Sequence, residues 1–284
     1  MGQGGEGIVK DKWQKRIVMI LFLLLSMILL YPLLLTFTNS FMSNKEIMRH
    51  YGFQEVSMYI IPEEVTFSGY IELLFTRPSY LILFWNSVKV TIPVIIGQEI
   101  VSLLAAYGFT RAHFKGKKMI WESYIVMILL PVQVALVPNF IVMQKLQLMD
   151  HLAAIILPGI FNPFGTFLLT NFMKEIPKEY IEAAEMDGAG HRVILIQIFV
   201  PLLKPGLFAL MILTFIEYWN LVEPVLVFIR DAFKQPLSIY LSYIGEDVRM
   251  IFTASCFYMM PVLLLFLYGQ DDLVQGLEHS GIKG

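Results

Sequence analysis

Six long apolar runs alternate with polar segments along the 284 residues of this chain. A helix needs roughly 20 mostly apolar residues to cross the hydrocarbon core of a bilayer. Backbone polar groups in lipid must be satisfied within the protein, so each run predicts a helix rather than an open strand. The predicted spans are, in chain order, Ile17–Phe37, Phe84–Phe109, Met119–Met143, Leu152–Met173, Gly206–Ile229 and Ile251–Gly269.

Several prolines lie inside or beside these runs. A proline within a helix removes one backbone hydrogen bond and kinks the helix unless neighbouring groups compensate. Kinks are therefore expected at the internal prolines, which include Pro32, Pro93, Pro131, Pro163 and Pro224.

The composition indicates that lipid is the solvent of this chain. Hydrophobic residues make up 57% and charged residues only 15%, whereas about a quarter of the residues of a soluble domain are charged. We therefore predict an all-α, polytopic membrane protein. Its single membrane domain comprises residues 17–269, between an N-terminal segment of residues 1–16 and a tail of residues 270–284. The sequence contains no dense basic face of the kind that binds nucleic acid.

The distribution of lysine and arginine predicts which side of the membrane each segment occupies. Cytoplasmic loops carry an excess of these residues. Here they are concentrated in the N-terminal segment and in residues 110–118 and 174–205, whereas the other loops carry fewer of them over a longer total length. Both termini and the 174–205 segment are therefore expected in the cytoplasm.

A polar island interrupts the apolar pattern between the fourth and fifth spans. It reads EAAEMDG from Glu182 to Gly188, and IFVP follows from Ile198 to Pro201 after nine residues. One interpretation is an ordinary amphipathic connector on the inner leaflet, because Glu and Ala are common helix formers. The spacing and the predicted cytoplasmic position favour the other interpretation, a contact element for a partner protein.

The residues around the island predict two short helices. Pro177 suits the first turn of a helix, and residues 178–187 are expected to form that helix. Gly188 and Gly190 are expected to end it, since glycine permits backbone turns that other residues resist. A second helix then runs to Val200 and stops before the proline that follows. The result is a helix–turn–helix at about residues 177–200, named the 177–200 segment below.

The island and several other stretches resemble one protein family. The island's spacing resembles the EAA signature of bacterial ABC importer permeases, with Val200 where that family usually has leucine. AAYGF from Ala105 runs into RAHFKGK from Arg111, and Trp219-Asn220 precedes Pro224, as in the same family. Nearly end to end, the chain is similar to carbohydrate ABC importer permeases of the maltose-transporter type, in particular their six-span subunit.

This resemblance implies a division of labour between subunits. It implies the type I importer fold in a bacterial cytoplasmic membrane, a second permease as heterodimer partner, two ATPase subunits and an extracytoplasmic solute-binding protein. The ATPase subunits would bind ATP and magnesium, because this chain has no G-x4-G-K-[ST] phosphate-binding loop. The chain itself would be a transport permease and not an enzyme. The resemblance assigns ATPase coupling to Glu182, Ala183, Ala184, Asp187 and Gly188.

Each of these residue types suits a mechanical contact. The small side chains of Ala183 and Ala184 would let the helix press into a groove on the ATPase. Glu182 and Glu185 would offer charge to a basic partner, and Gly188 would permit the turn. Such a lever could convert closure of an ATPase dimer into rotation of membrane helices.

Polar residues near the end of the fifth span are candidates for the substrate pathway. Glu217 lies eleven residues beyond Gly206, or about 16 Å along a helix, and ionisable residues inside spans are functional candidates by default. Trp219 could offer a ring face to a sugar, and Glu217, Asn220 and Pro224 could share one stripe. The alternative is that these groups contact the partner permease. The candidate residues are Glu217, Tyr218, Trp219, Asn220 and Glu223.

The main functional hypothesis is therefore import of an oligosaccharide or related sugar by ATP-driven alternating access. The alternatives are a permease for a non-sugar solute, such as a polyol, glycerol-phosphate or peptide, a passive channel, and a membrane-embedded enzyme. No histidine spacing typical of a metal site occurs in the sequence.

Overall fold

The computed structural model describes residues 4–51, 60–243 and 247–281, and helices form nearly all of its regular structure. Two π-helical stretches, Glu72–Thr76 and Ile194–Phe199, and one 3-10 turn, Ala232–Lys234, complete the set. The α-helices are α1 (Gly4–Asn39), α2 (Asn44–Tyr51), α3 (Ser68–Ile71), α4 (Pro78–Arg111), α5 (Lys117–Leu129), α6 (Val132–Lys145), α7 (Ala153–Ile160), α8 (Pro163–Glu175), α9 (Lys178–Met186), α10 (His191–Val193), α11 (Val200–Leu202), α12 (Lys204–Trp219), α13 (Glu223–Phe228), α14 (Leu237–Tyr243) and α15 (Val248–Gly281).

Four stretches of helix are long and apolar enough to cross a membrane: Lys15–Asn39, Pro78–Arg111, Ala153–Glu175 and Val248–Gln270. They correspond to the predicted first, second, fourth and sixth spans. Two further spans result if each of two bent helix pairs counts as one. One pair joins α5 to α6, and the other joins the α10–α11 stretch to α12.

The third and fifth spans are each broken beside a proline. Helices α5 and α6 are bent by 107° at Leu130–Pro131, where Leu130 is extended, as expected of a residue before proline. In the fifth span α12 ends at Trp219, and α13 begins only at Glu223. The kink expected at Pro131 is therefore confirmed, and in the fifth span the helix is interrupted at residues 220–222, just before Pro224.

The prolines divide into two groups. Pro32 and Pro93 lie inside the unbroken helices α1 and α4. Pro131, Pro163 and Pro224 stand at or just before the first turn of α6, α8 and α13, where the missing N–H costs no helical hydrogen bond.

The 177–200 segment is helical on both sides of its turn. Helix α9 corresponds to the predicted first helix. The second helix continues through α10, a π-helical stretch and α11 to Leu202, so the expectation that it stops before Pro201 is wrong. Pro201 directly follows the π-helical stretch, at whose end the Val200 N–H bonds Leu195 O.

The chain forms two compact units. The larger one comprises residues 78–243 and 259–284. In it α4 packs against α7, α8 and α12, and small residues permit the close approach that is typical of membrane helices. A Cβ on Gly165 would lie 2.3 Å from Ser102 Oγ, and one on Gly206 would lie 2.9 Å from the Phe172 ring.

Two apolar cores occupy opposite ends of this larger unit. One contains Val94, Tyr218 and Phe228. The other contains Ala106 and Phe199 and includes residues of the 177–200 segment. Val94 and Ala106 both lie on α4, about 18 Å apart along its axis.

The smaller unit comprises residues 1–77 and 244–258. Glu72 accepts hydrogen bonds from Arg77 and from Arg249, and Arg77 also pairs with Asp247 at 2.9 Å. The Glu46 carboxylate accepts the backbone N–H of Glu63 at 2.6 Å. These contacts join the polar segments that follow α1 to the start of α15.

Contacts within the larger unit agree with the predicted assignment of the connecting segments to two sides of the membrane. Arg111 contacts Glu185, and both lie in segments predicted on one side of the membrane. Asp150 contacts Lys234 at 3.1 Å, and both lie in segments predicted on the opposite side. Which side is cytoplasmic stays a prediction from the positive charges.

Candidate functional site

Helix α9 has one face turned toward its own chain and one open face. Ile181 is buried, and Ala184 packs against the core that contains Phe199. Residues spaced by three or four positions share a helix face, and the residues on the other face are exposed. This open stripe consists of Glu179, Glu182, Ala183 and Met186.

The two faces separate residues that the sequence places side by side. Ala183 is on the open stripe, whereas Ala184 is turned inward. Met186 is 88% exposed, and sequence reasoning did not select it, although its spacing of four from Glu182 was an available signal. Glu182 forms no ion pair with any residue in the described part of the chain.

The turn after α9 depends on Gly188. Its φ of +81° lies in the left-handed region, which glycine adopts without steric cost. The Gly188 N–H donates to Glu185 O at 3.0 Å, and the Ala189 N–H donates to Ala184 O at 2.9 Å, as at many helix C-termini. Gly190 has an ordinary φ of −77°. The prediction of a turn at Gly188 is thus confirmed, and Gly190 does not need to be glycine for its backbone conformation.

The end of α4 holds the 177–200 segment at two points. The Arg111 guanidinium donates to the Glu185 carboxylate, and the Tyr107 hydroxyl lies 2.9 Å from His191 Nδ1. The Tyr107 ring also packs edge-on against Phe199, with centroids 5.5 Å apart. Glu185 is thus paired with Arg111 of its own chain, and its contact with a basic partner stays a prediction.

A cavity of about 670 Å³ lies among the interrupted helices of the larger unit. Its lining includes Leu130 at the α5–α6 bend, Phe161 between α7 and α8, and Leu221 between α12 and α13. Irregular backbone at membrane depth is tolerated where it lines a cavity. The walls are mostly apolar, and the polar lining residues are Asn139, Asn162, Glu217 and Tyr218.

Two of the five predicted pathway residues, Glu217 and Tyr218, line this cavity, and the other three do not. Trp219 is 1% exposed, and its ring is stacked on Phe215 at 5.2 Å. The expectation that Trp219 offers a ring face to a sugar is wrong in this conformation, because Phe215 covers that face.

The remaining two candidates bond elsewhere because α12 ends at Trp219. The Asn220 amide donates to Ile216 O at 2.8 Å. Glu223 accepts from Gln133 Nε2 at 3.1 Å, which joins α13 to α6. The predicted single stripe through Glu217, Asn220 and Pro224 is wrong, since the helix is interrupted between them.

The position of Tyr218 depends on a glycine. A Cβ on Gly159 of α7 would lie 2.7 Å from Tyr218 Oη and 2.8 Å from its Cζ. Real Cβ contacts do not approach so closely, so Gly159 leaves the room in which the Tyr218 ring sits.

No group of three or more His, Cys, Asp or Glu side chains in the described ranges could hold a metal ion.

At the end of the larger unit opposite the 177–200 segment, Asp150 organises a polar cluster that sequence reasoning did not detect. Its carboxylate accepts the N–H groups of Arg230 and Asp231 at 3.0 Å each, and the Lys234 ammonium at 3.1 Å. The Asp231 and Arg230 N–H groups and Lys234 lower the pKa of the Asp150 carboxyl below its ordinary value. Asp150 itself has a left-handed φ of +63°.

The identity of the chain follows from its similarity to known proteins. The family model for the binding-protein-dependent transport system inner membrane component matches residues 7–277. The chain belongs to this family. It is the multi-pass membrane permease of an ABC importer and not an enzyme.

Related permeases match over most of the chain. The Arabinooligosaccharides transport system permease protein AraQ of Halalkalibacterium halodurans is 28% identical over 267 residues, which cover 93% of this chain and 94% of AraQ. The Sulfoquinovosyl glycerol transport system permease protein SmoH of Agrobacterium fabrum is 31% identical over 229 residues, which cover 78% of this chain and 80% of SmoH.

A solved structure has the same fold. It is a chain of a bacterial ABC transporter involved in the import of the acidic polysaccharide alginate. The TM-score is 0.81 at 21% sequence identity, over 92% of this chain and 97% of that one. The fold of this chain is therefore that of the type I importer permeases.

Proposed function

We propose that this permease imports an oligosaccharide or a related sugar by ATP-driven alternating access. The observation that carries this proposal is the shared chemistry of the related transporters. AraQ is named for arabino-oligosaccharides, SmoH for sulfoquinovosyl glycerol, and the structural neighbour for alginate. All three cargoes contain sugar rings, although they differ in length and charge.

The cavity beside Glu217 and Tyr218 is proposed as this chain's part of the sugar pathway. A carboxylate and a phenol suit the hydroxyls of a sugar, and the apolar walls suit its C–H faces. Breaks in three helices border the cavity, and short non-helical joints allow helix halves to move relative to each other.

Tyr218→Phe tests the pathway because it removes one hydroxyl from the cavity wall. We expect it to raise the KM for uptake in proteoliposomes that contain the complete transporter and its binding protein. Tyr80→Phe is the control, since Tyr80 is fully buried on α4 and does not line the cavity. Equal KM values for wild type and Tyr218→Phe would exclude this site from the pathway.

The substrate class is tested separately with the purified binding protein and the same proteoliposomes. Arabino-oligosaccharides, alginate oligosaccharides and a polyol are offered as labelled cargo. ATP-dependent uptake of one of the oligosaccharides supports the proposal. Uptake of the polyol without any sugar uptake would contradict it.

We further propose that an ATPase subunit, which binds ATP and magnesium, docks on the open stripe of α9. Glu182 and Ala183 belong to the predicted coupling set, and the exposed Met186 extends the same stripe. Asp187 and Gly188 would set the angle of the turn, while Ala184 supports the helix from inside. The full assembly would contain a second permease, two ATPase subunits and the binding protein, in the bacterial cytoplasmic membrane.

Met186→Ala tests this docking face. The side chain is 88% exposed, so its loss should leave the thermal stability of the chain unchanged while weakening co-purification of the ATPase. Glu182→Lys should reduce transport-coupled ATP hydrolysis. Met48→Ala is the control, because Met48 is another highly exposed methionine, 72% exposed on α2. Wild-type ATPase binding and coupling in both α9 variants would rule out the assignment.

A further inference from the structure

A second cavity, of about 480 Å³, lies at the end of the larger unit that carries the 177–200 segment. Thr110 of its lining is adjacent to Arg111, which contacts Glu185. Three of the seven lining residues are lysines and none is acidic. The lining consists of Phe109, Thr110, Lys117, Lys118, Trp121, Thr170 and Lys174.

Two of the lysines occupy an electrostatically unfavourable place. Lys117 and Lys118 form the start of α5, whose first turn has no acidic residue and whose N-terminus no side chain caps. The helix dipole favours negative charge at this end. Lys118 pairs only loosely with Glu122, at 3.8 Å, and both side chains are mostly exposed, so this pair offsets little. An anion in the cavity would compensate both the lysines and the helix terminus.

The protein holds two of the three ammonium groups in position. Lys174 Nζ lies 4.6 Å from the centroid of the Trp121 ring, a cation–π distance. The Trp121 ring is in turn stacked on Phe167 at 5.8 Å and meets Phe109 edge-on at 5.2 Å. Lys117 Nζ donates to Ala112 O at 2.9 Å. The ammonium groups of Lys117 and Lys174 are therefore positioned before any ligand binds.

The surroundings of the cavity point to lipid as the source of the anion. Trp and Lys side chains commonly lie together at the level of lipid headgroups, and basic pockets between membrane helices bind anionic headgroups. Met119 and Ile120 continue α5 beside the lysines as exposed apolar residues, 69% and 40% exposed. Free phosphate would use the same lysines but would gain nothing from this apolar surface.

We propose that the lysine cavity binds the phosphate group of an anionic phospholipid headgroup. Such a lipid would fix the ends of α4, α5 and α8 next to the 177–200 segment. This is a binding site in addition to the transport pathway, and it does not depend on which sugar is carried.

The test uses the full chain in nanodiscs of phosphatidylcholine with and without phosphatidylglycerol. Brominated phosphatidylglycerol should quench tryptophan fluorescence more than brominated phosphatidylcholine, and Trp121→Phe should remove that difference. The preference for phosphatidylglycerol over phosphatidylcholine should weaken about fivefold per lysine removed. This is expected for Lys174→Gln and for the double variant Lys117→Gln with Lys118→Gln. Lys174→Arg should retain the preference. Lys115→Gln is the control, because Lys115 is an exposed lysine just before α5 that does not line the cavity.

Several outcomes would overturn the proposal. They include equal quenching by the two brominated lipids and an equal effect of Lys115→Gln and Lys174→Gln. If inorganic phosphate protected the lysines from amine labelling in discs of phosphatidylcholine, while phosphatidylglycerol showed no preference, the site would belong to a soluble anion instead. Native mass spectrometry of the bound lipids provides the same comparison if Trp121→Phe does not fold.

Discussion

Arg111, at the end of α4, forms an ion pair with Glu185 of α9 across 74 residues of sequence. The side chains are 26% and 46% exposed, so solvent screens the pair only in part. The contact joins a membrane span directly to the helix that carries the open stripe. Movement of α9 is therefore expected to reach α4 through this pair.

Reversal of either charge should weaken that connection. Arg111→Glu or Glu185→Arg alone places like charges opposite each other and should lower ATP-driven uptake, and the double reversal should recover part of it. We expect a coupling free energy of about 0.2–1 kcal/mol from a double-mutant cycle on thermal unfolding. The same reversals of the more exposed Arg49–Glu63 pair serve as control. Additive effects of the two α9–α4 reversals would contradict the connection.

Gly188→Ala should destabilise the turn after α9 by about 1–2 kcal/mol, because alanine at a φ of +81° brings its Cβ close to the backbone. Open space surrounds the position, so backbone conformation alone accounts for the cost. Gly188→Pro should be more severe, since proline also removes the N–H that bonds Glu185 O. Thermal unfolding and uptake measure both effects.

Gly190→Ala is the matched control for the turn. Its site is equally open, but its φ is −77°, so the change should fall within about 0.5 kcal/mol of wild type. Similar losses in Gly188→Ala and Gly190→Ala would show that backbone conformation is not the cause.

Gly159→Ala should displace Tyr218 from the cavity wall, since the new Cβ would lie 2.7 Å from its hydroxyl oxygen. Overpacking of this kind costs about 1–3 kcal/mol, and a raised KM for uptake should accompany the lower melting temperature. Gly108→Ala is the control, because it lies in α4 with no atom within 4 Å of the new Cβ. Unchanged stability and KM in Gly159→Ala would contradict the close approach.

Acid should loosen the polar cluster at Asp150. Hydrogen bonds in the folded protein stabilise the carboxylate form of Asp150, so the pKa of this group lies below its ordinary value of 3.8. The stabilisation is complete above that ordinary value and disappears as the pH falls through the lowered pKa. Hydrogen exchange at the Arg230 and Asp231 amides, corrected for intrinsic rates, should therefore accelerate at the acid end.

Substitutions at Asp150 distinguish the effect of its charge from the effect of its left-handed backbone conformation. Asp150→Asn should accelerate exchange of those amides at neutral pH, and Asp150→Ala should accelerate it more, because asparagine tolerates a left-handed φ better than alanine. Glu64→Gln, at an exposed carboxylate elsewhere, is the control for charge removal. Unchanged exchange in Asp150→Ala would show that the cluster does not hold the backbone of residues 230–231.

The sequence alone predicts much of the fold. Six apolar runs, the α9 helix and the turn at Gly188 are properties of consecutive residues: run length, helix period and glycine's access to positive φ. The EAA spacing likewise lies within one short stretch. All of these can be recognised without knowledge of which segments meet.

Tertiary structure decided which side chains of those elements are open. Ala184 is turned inward because α9 packs against a core built by distant helices, and Glu185 is neutralised by Arg111 of α4. Trp219 is buried against α4, where the ring of Phe84 meets its ring edge-on at 5.7 Å. The lysine cavity combines residues from α4, α5 and α8. Contacts between residues far apart in sequence depend on how the helices pack, and no local pattern of apolar and polar positions records that packing.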